Sequence, residues 1–172
     1  TGGMMVASLL EREGIECPLV SSIEALADIS PSASAVVVAR KIRLVDPVAA
    51  MSEGRQTVNA LKNLGCNRFY YKYCATFDST EKGNIGPIAE AMLSALGGRQ
   101  TLFCPAFPVH TVTVFQGMMF IGSQLLEKSF KQFDPVPPML NSNLVEVLQS
   151  QTASKVGLLS HNLLQRGRQA FD

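Results

Sequence analysis

Apolar and polar positions alternate along the chain in blocks that read as helices and strands. Residues 4–13 set Met4, Met5, Val6, Ala7, Leu9 and Leu10 beside Glu11, Arg12 and Glu13, with Gly14 behind them. That is an amphipathic helix with a glycine stop. Cys17, Pro18, Leu19 and Val20 form a short apolar stretch, after which Ser21 and Ser22 offer a cap for a brief helix through Leu26. Residues 35–39 are continuous and β-branched, the pattern of a strand buried on both faces. Asp46 and Pro47 then open a long helical segment that stops at Leu64 and Gly65, with Asp as N-cap and Pro in the first turn.

The same order recurs downstream. Residues 68–74 read as a strand, 76–86 as a polar loop, 87–96 as a helix closed by Gly97 and Gly98, and 101–104 as a third strand. Alternation of apolar strands with helices predicts an α/β fold, a three-layer arrangement in which a mostly parallel sheet is flanked by helices with right-handed crossovers. Within 109–120, Thr and Val alternate up to Gln116 and Gly117, which predicts a small β-hairpin inserted at the edge of the sheet. Residues 130–139 carry three prolines and read as loop. Asn141 or Ser142 is placed to cap a helix over 144–148, followed by a strand at 155–159 and a last helix over 163–170. No linker or repeat divides the chain, so residues 1–172 are expected to form one domain.

Composition narrows the classes of function. The 172 residues are 47% hydrophobic and 17% charged, with a net charge of +1. A domain of this length buries roughly 70% of its unfolded surface, enough for a real core. The charged fraction lies below the roughly 25% of an average soluble domain, which excludes a disordered tail. The near-neutral balance argues against nucleic acid as a partner, since phosphate neutralisation needs a basic face. No apolar run is long enough for a membrane span. Cys17, Cys66, Cys74 and Cys104 lack C-x-x-C spacing and lie in or beside apolar runs, so they are expected to be buried free thiols in a reducing, cytoplasmic setting. His110 and His161 are far apart in sequence and no metal site is expected.

In open parallel sheets, ligands bind beyond the carboxyl ends of the strands. The loop after the valine run carries Arg40, Lys41 and Arg43, cations suited to a carboxylate or phosphate. The alternative reading is a solvated basic loop. Lys72, at the end of the tyrosine run, precedes a loop holding Asp78, Ser79, Thr80 and Asn84 before a helix start. One carboxylate, two hydroxyls and a carboxamide suit a polyol, and free N–H groups at the helix start suit an anion. The alternative is an N-capping turn. No G-x-x-x-x-G-K-[ST], G-x-G-x-x-G or G-x-S-x-G is present, so neither a complete nucleotide site nor a hydrolase elbow is read here. Ser160 with His161 reads as a helix cap, His110 as a loop histidine and Met118, Met119 and Phe120 as core.

Lys72-Tyr73-Cys74-Ala75-Thr76-Phe77-Asp78-Ser79-Thr80, continued by Gly83-Asn84-Ile85-Gly86-Pro87, closely resembles the K-Y-C-S-T-F-D-S-T-x-x-G-N-I-G-P signature of the four-carbon acid sugar kinases, particularly their 3-oxo-tetronate kinase branch. Thr1-Gly2-Gly3 resembles the tail of that family's A-D-D-x-T-G-A opening, and Lys41-Ile42-Arg43 stands where it has K-T-R. Cys104-Pro105-Ala106-Phe107-Pro108, Gln116-Gly117, and Met139 with Ser142-Asn143-Leu144 extend the likeness over nearly the whole chain.

The resemblance implies the N-terminal acid-sugar-binding domain of a kinase that phosphorylates the terminal hydroxyl of a four-carbon sugar acid. It implies an opening strand before Thr1 and a C-terminal nucleotide-binding domain as partner, with ATP and Mg2+ used by the intact enzyme and neither expected to bind tightly to this fragment, which alone is expected to be inactive. A homodimer is allowed for. By the same resemblance Arg43 would hold the substrate carboxylate, Asp78, Ser79 and Thr80 its hydroxyls, and Lys41, Lys72 and Asn84 would line or shape the site. The family's opening aspartates lie outside the chain, which leaves the catalytic residue unassigned and Asp78 as the best candidate present. Ile42 and Leu44 depart from the hydroxyl residues expected around Arg43. Val112 falls within His110-Thr111-Val112-Thr113 where the family has N-G-R-T, and Asn141 stands for an aspartate. These departures keep open an alternative, a catalytically inactive binding or interaction module of the same fold.

Overall fold

The computed structural model describes residues 2–77 and 80–170. The chain divides into two compact units, Thr1–Tyr73 with Ile88–Thr101, and Cys74–Pro87 with Leu102–Asp172.

The first unit opens with α1 (Gly2–Arg12), followed by β1 (Leu19–Val20), a 3-10 turn at Glu24–Asp28, and β2 (Val37–Val38). β1 and β2 pair in parallel, Leu19 with Val37 and Val20 with Val38. The ladder is extended on both sides by Ala35 N–H to Glu16 O and Ala39 N–H to Val20 O. Gly3 lets α1 approach this pair closely, because a Cβ there would lie 3.2 Å from Val37 and 3.3 Å from Ala39. The valine run is half-buried rather than covered on both faces. A two-stranded sheet has only so much surface to hide.

α2 (Pro47–Asn63) begins as its sequence predicts. The Asp46 carboxylate accepts from the N–H groups of Val48 and Ala49 and satisfies two donors that the first helical turn cannot. At the other end Gly65 adopts φ +95, while Gly65 N–H bonds Lys62 O and Cys66 N–H bonds Leu61 O. Those paired bonds are the left-handed glycine stop that ends many helices. Gly54 faces the Ile88–Leu96 part of α3 (Ile85–Leu96), where Ile88 and Met92 pack against it. Ala50, Val58, Ile88 and Ala91 form the buried seam between these helices.

The second unit is built on an antiparallel sheet, β3 (Val112–Phe115), β4 (Met118–Ile121) and β5 (Gln124–Leu125). The predicted hairpin is present, turning through Gln116 at φ +50 and Gly117 at φ +80, which are the paired left-handed residues that match strand twist. α4 (Leu144–Ser150) is tied to it by Leu144 N–H to Gly117 O and Met119 N–H to Ser142 O, both 2.9 Å. Its cap is Asn143, whose side chain accepts from Val145 and Glu146 N–H. Asn141 and Ser142, the sequence candidates, do other work: Asn141 Oδ1 accepts from Asn143 N–H, and Ser142 Oγ accepts from Glu127 N–H. Phe77, Val112, Met119, Leu126, Met139, Val147 and Leu148 make the core. Ser160 caps α5 (His161–Leu164) through Leu163 N–H, and a 3-10 turn at Gly167–Ala170 follows where a longer helix was expected.

The architecture is therefore mixed α/β, with a small parallel and a small antiparallel sheet. Residues 68–74, 101–104 and 155–159, each expected to be a strand, form none. A strand is defined by its neighbour's hydrogen bonds, and the ladders among the described residues are β1 with β2 and β3 with β4 and β5. Tyr70, at 72% exposed, and Leu102, at 68%, show the consequence.

Cysteine burial is corrected in the same way. All four thiols are free, yet only Cys17 is buried, while Cys66 and Cys74 are half-buried and Cys104 is exposed. Burial pushes the Cys17 thiol up from its ordinary range, and the Glu11 carboxylate adds to that. Timed maleimide labelling of the folded chain, read by mass spectrometry, is expected to modify Cys104 first and Cys17 last, at least about tenfold more slowly.

Candidate functional site

The basic loop after β2 is partly committed to structure. Arg40 donates from Nε and Nη2 to Glu53 Oε2 at 3.0 and 2.7 Å, and from Nη1 to Ser21 O at 3.4 Å. This cation anchors β2 to α2. Lys41 and Arg43 follow it, and both are exposed. Leu44 beside them is 63% exposed and supplies no polar group. Lys72 is half-buried in the same unit, its Nζ donating to Tyr73 O at 2.6 Å and its chain lying along Gly2.

The other predicted site residues belong to the second unit. Asp78 and Ser79 lie outside the described residues. Just before them Thr76 is buried, with its hydroxyl 3.1 Å from the Cys74 sulfur. Phe77 is 1% exposed and holds φ +62, its ring edge-on to Phe103 at 6.1 Å. Thr80 begins a turn closed by Gly83 N–H to Thr80 O at 3.1 Å. Asn84, at 3% exposed, stands immediately before α3, and Gly83, Ile85 and Gly86 are buried around it.

One residue that sequence reasoning passed over meets this loop. Gly86 N–H donates to Gln151 Oε1 at 2.9 Å, and Gln151 Nε2 donates to Thr80 O at 2.8 Å. One of the helix-start N–H groups expected to be free for an anion is thus already occupied. No sequence signal marks Gln151, which is an ordinary glutamine just past an amphipathic helix. The departures from the family pattern also find local explanations. Val112 is buried in the hairpin core, and Asn141 Nδ2 donates to Glu146 Oε2 at 3.2 Å.

The family model for a sugar-binding N-terminal domain matches residues 1–172. The chain belongs to this family. Among curated relatives, the 3-oxo-tetronate kinase of Burkholderia multivorans is 41% identical over 167 residues, covering 97% of this chain and 39% of its own length. That of Cupriavidus necator is 42% identical over 173 residues, covering 99% and 40%. The chain thus spans about two fifths of these relatives. Among solved structures, a Salmonella typhimurium LT2 protein bearing a provisional tRNA-synthase name superposes with TM-score 0.90 at 32% identity, over 99% of this chain and 41% of that one. A Bordetella bronchiseptica domain of unknown function, solved with citrate as a domain-swapped dimer, gives TM-score 0.73 at 27% identity over 86% and 37%. No helix among the described residues is long and apolar enough to cross a membrane.

Proposed function

We propose that this member of the sugar-binding family is the acid-sugar-binding part of an ATP-dependent kinase acting on the terminal hydroxyl of a four-carbon sugar acid. The observation that carries the reading is similarity over 97–99% of this chain to relatives named 3-oxo-tetronate kinase at 41–42% identity. The site chemistry supports it. The Arg43 guanidinium pairs with a carboxylate through two parallel N–H bonds, and Lys41 adds positive charge. Asp78 accepts from substrate hydroxyls, and Ser79 and Thr80 donate to or accept from them. Lys72, half-buried, and Asn84, buried, are the further residues assigned to the substrate.

Phosphoryl transfer depends on holding the acceptor hydroxyl in line and neutralising charge. Holding the acceptor is the task assigned to this chain, and a C-terminal nucleotide-binding domain holds ATP. Mg2+ belongs with that nucleotide. Among the described residues no three His, Cys, Asp or Glu side chains come together.

The test is calorimetric titration of the chain with threonate, erythronate and 3-oxo-tetronate. At least one is expected to bind, with Arg43→Ala and Asp78→Ala each weakening it by about 10- to 100-fold. Absence of binding by all three, with circular dichroism showing an intact fold, would overturn the reading.

A further inference from the structure

We propose that Gln151 is a positioning residue for the acid-sugar site, its carboxamide setting the shape of the 80–86 loop. The inference rests on the functional reading above for the word substrate, and on geometry for the rest. Oε1 takes the Gly86 N–H and Nε2 gives to the Thr80 carbonyl, so one side chain clasps both ends of the loop. The two contacts need opposite ends of the amide. A flipped carboxamide would set donor against donor and acceptor against acceptor, so the orientation is fixed.

Gln151 is 9% exposed, which removes water as an easy substitute for either bond. Thr80 O accepts from Gly83 N–H as well, so the clasp also secures the turn on which the loop starts. Asn84 lies between the anchored points, and Thr80 directly follows the Asp78 and Ser79 to which substrate hydroxyls are assigned.

The clasp is itself held in place. Gln151 ends α4, with its N–H on Leu148 O at 3.1 Å, and the start of α4 is fixed to the β3–β4 turn through Leu144 N–H and Gly117 O. The support runs from hairpin to helix to carboxamide to loop. Gly86 completes it, since a side chain there would displace Gln151.

Two variants of the whole chain test this, Gln151→Ala and Gln151→Glu, titrated with threonate, erythronate and 3-oxo-tetronate at pH 7 and pH 5 beside the wild type. Alanine is expected to weaken binding by roughly tenfold or more through the two lost bonds. The ionised glutamate still accepts from Gly86 but repels the Thr80 carbonyl; once protonated it can donate there again. Facing a carbonyl in a buried site raises such a carboxyl's pKa, so the Gln151→Glu deficit relative to wild type is expected to shrink on acidification. A general loss of stability would not give that recovery. Wild-type affinity in Gln151→Ala, or a Gln151→Glu deficit that stays constant with pH, overturns the proposal. If the wild type binds none of the three acids, the functional reading fails instead, and amide hydrogen exchange decides the clasp. Faster exchange at Gly83 and Gly86 in Gln151→Ala supports it, and unchanged exchange there overturns it.

Discussion

Phe77→Ala is expected to lower the stability of the chain by about 3–5 kcal/mol, the range for removing a fully buried ring. The ring is 1% exposed and meets Phe103 edge-on, so truncation leaves a cavity beneath the residue that leads into Asp78. Phe77 also holds φ +62, which a side chain with a Cβ occupies at a cost of about 1–2 kcal/mol. Glycine at this position loses the ring but relieves that strain, partly offset by about 0.5–1 kcal/mol of extra unfolded-state freedom. Phe77→Gly is therefore expected to be as stable as Phe77→Ala or up to about 1 kcal/mol more stable, against the usual order. Urea unfolding of the three proteins measures both differences. An alanine variant clearly more stable than the glycine variant would refute the strain argument.

The second large effect is expected at Gly86. A Cβ there would lie 2.8 Å from Gln151 Cβ, 2.9 Å from its carbonyl oxygen and 3.0 Å from its carbonyl carbon. Two of those atoms are backbone, so no rotamer change clears the way. Gly86→Ala is expected to cost about 2–3 kcal/mol by overpacking and to loosen the Thr80 and Gly86 contacts together. Gly54→Ala provides the comparison, since Gly54 is also a helical glycine, in α2 and facing α3. Its new Cβ would meet Ile88 Cγ2 at 3.4 Å, an ordinary contact, and alanine is the better helix former. That variant is expected to be neutral or more stable by about 0.5 kcal/mol. Thermal melting of both checks the signs, and equal losses at the two glycines would refute the steric argument.

Helix termini were legible because the residues that make them sit at fixed, local offsets. Asp46 with Pro47, Gly65 and Ser160 each do in the structure what their spacing predicts. Even there a competing local bond moved one cap, from Asn141 or Ser142 to Asn143. Strands were less legible for a physical reason. An apolar run such as 101–104 or 155–159 states a preference for burial, whereas a ladder requires another strand to lie beside it, and that is not encoded in the run. The hairpin could be read because only two residues, Gln116 and Gly117, separate its strands and mark the turn.

The candidate site divides along the same line. The loop containing Thr80 and Asn84 was visible as a contiguous signature, and the cations at 41 and 43 by their place after the valine run. Arg40 reads in sequence as a third cation of that group, but Glu53 on the following helix engages it. Gln151 could not be found this way, because its role depends on being brought to Gly86 and not on any neighbour in sequence.

That separation has a temporal meaning. Gly86 and Gln151 are 65 residues apart, and Thr80 and Gln151 are 71 apart. Contacts of such span are formed only after the intervening chain has been closed into a loop, and they slow folding accordingly. During synthesis, the 80–86 segment emerges well before the glutamine that shapes it. The signature loop is consequently made well before it is finished.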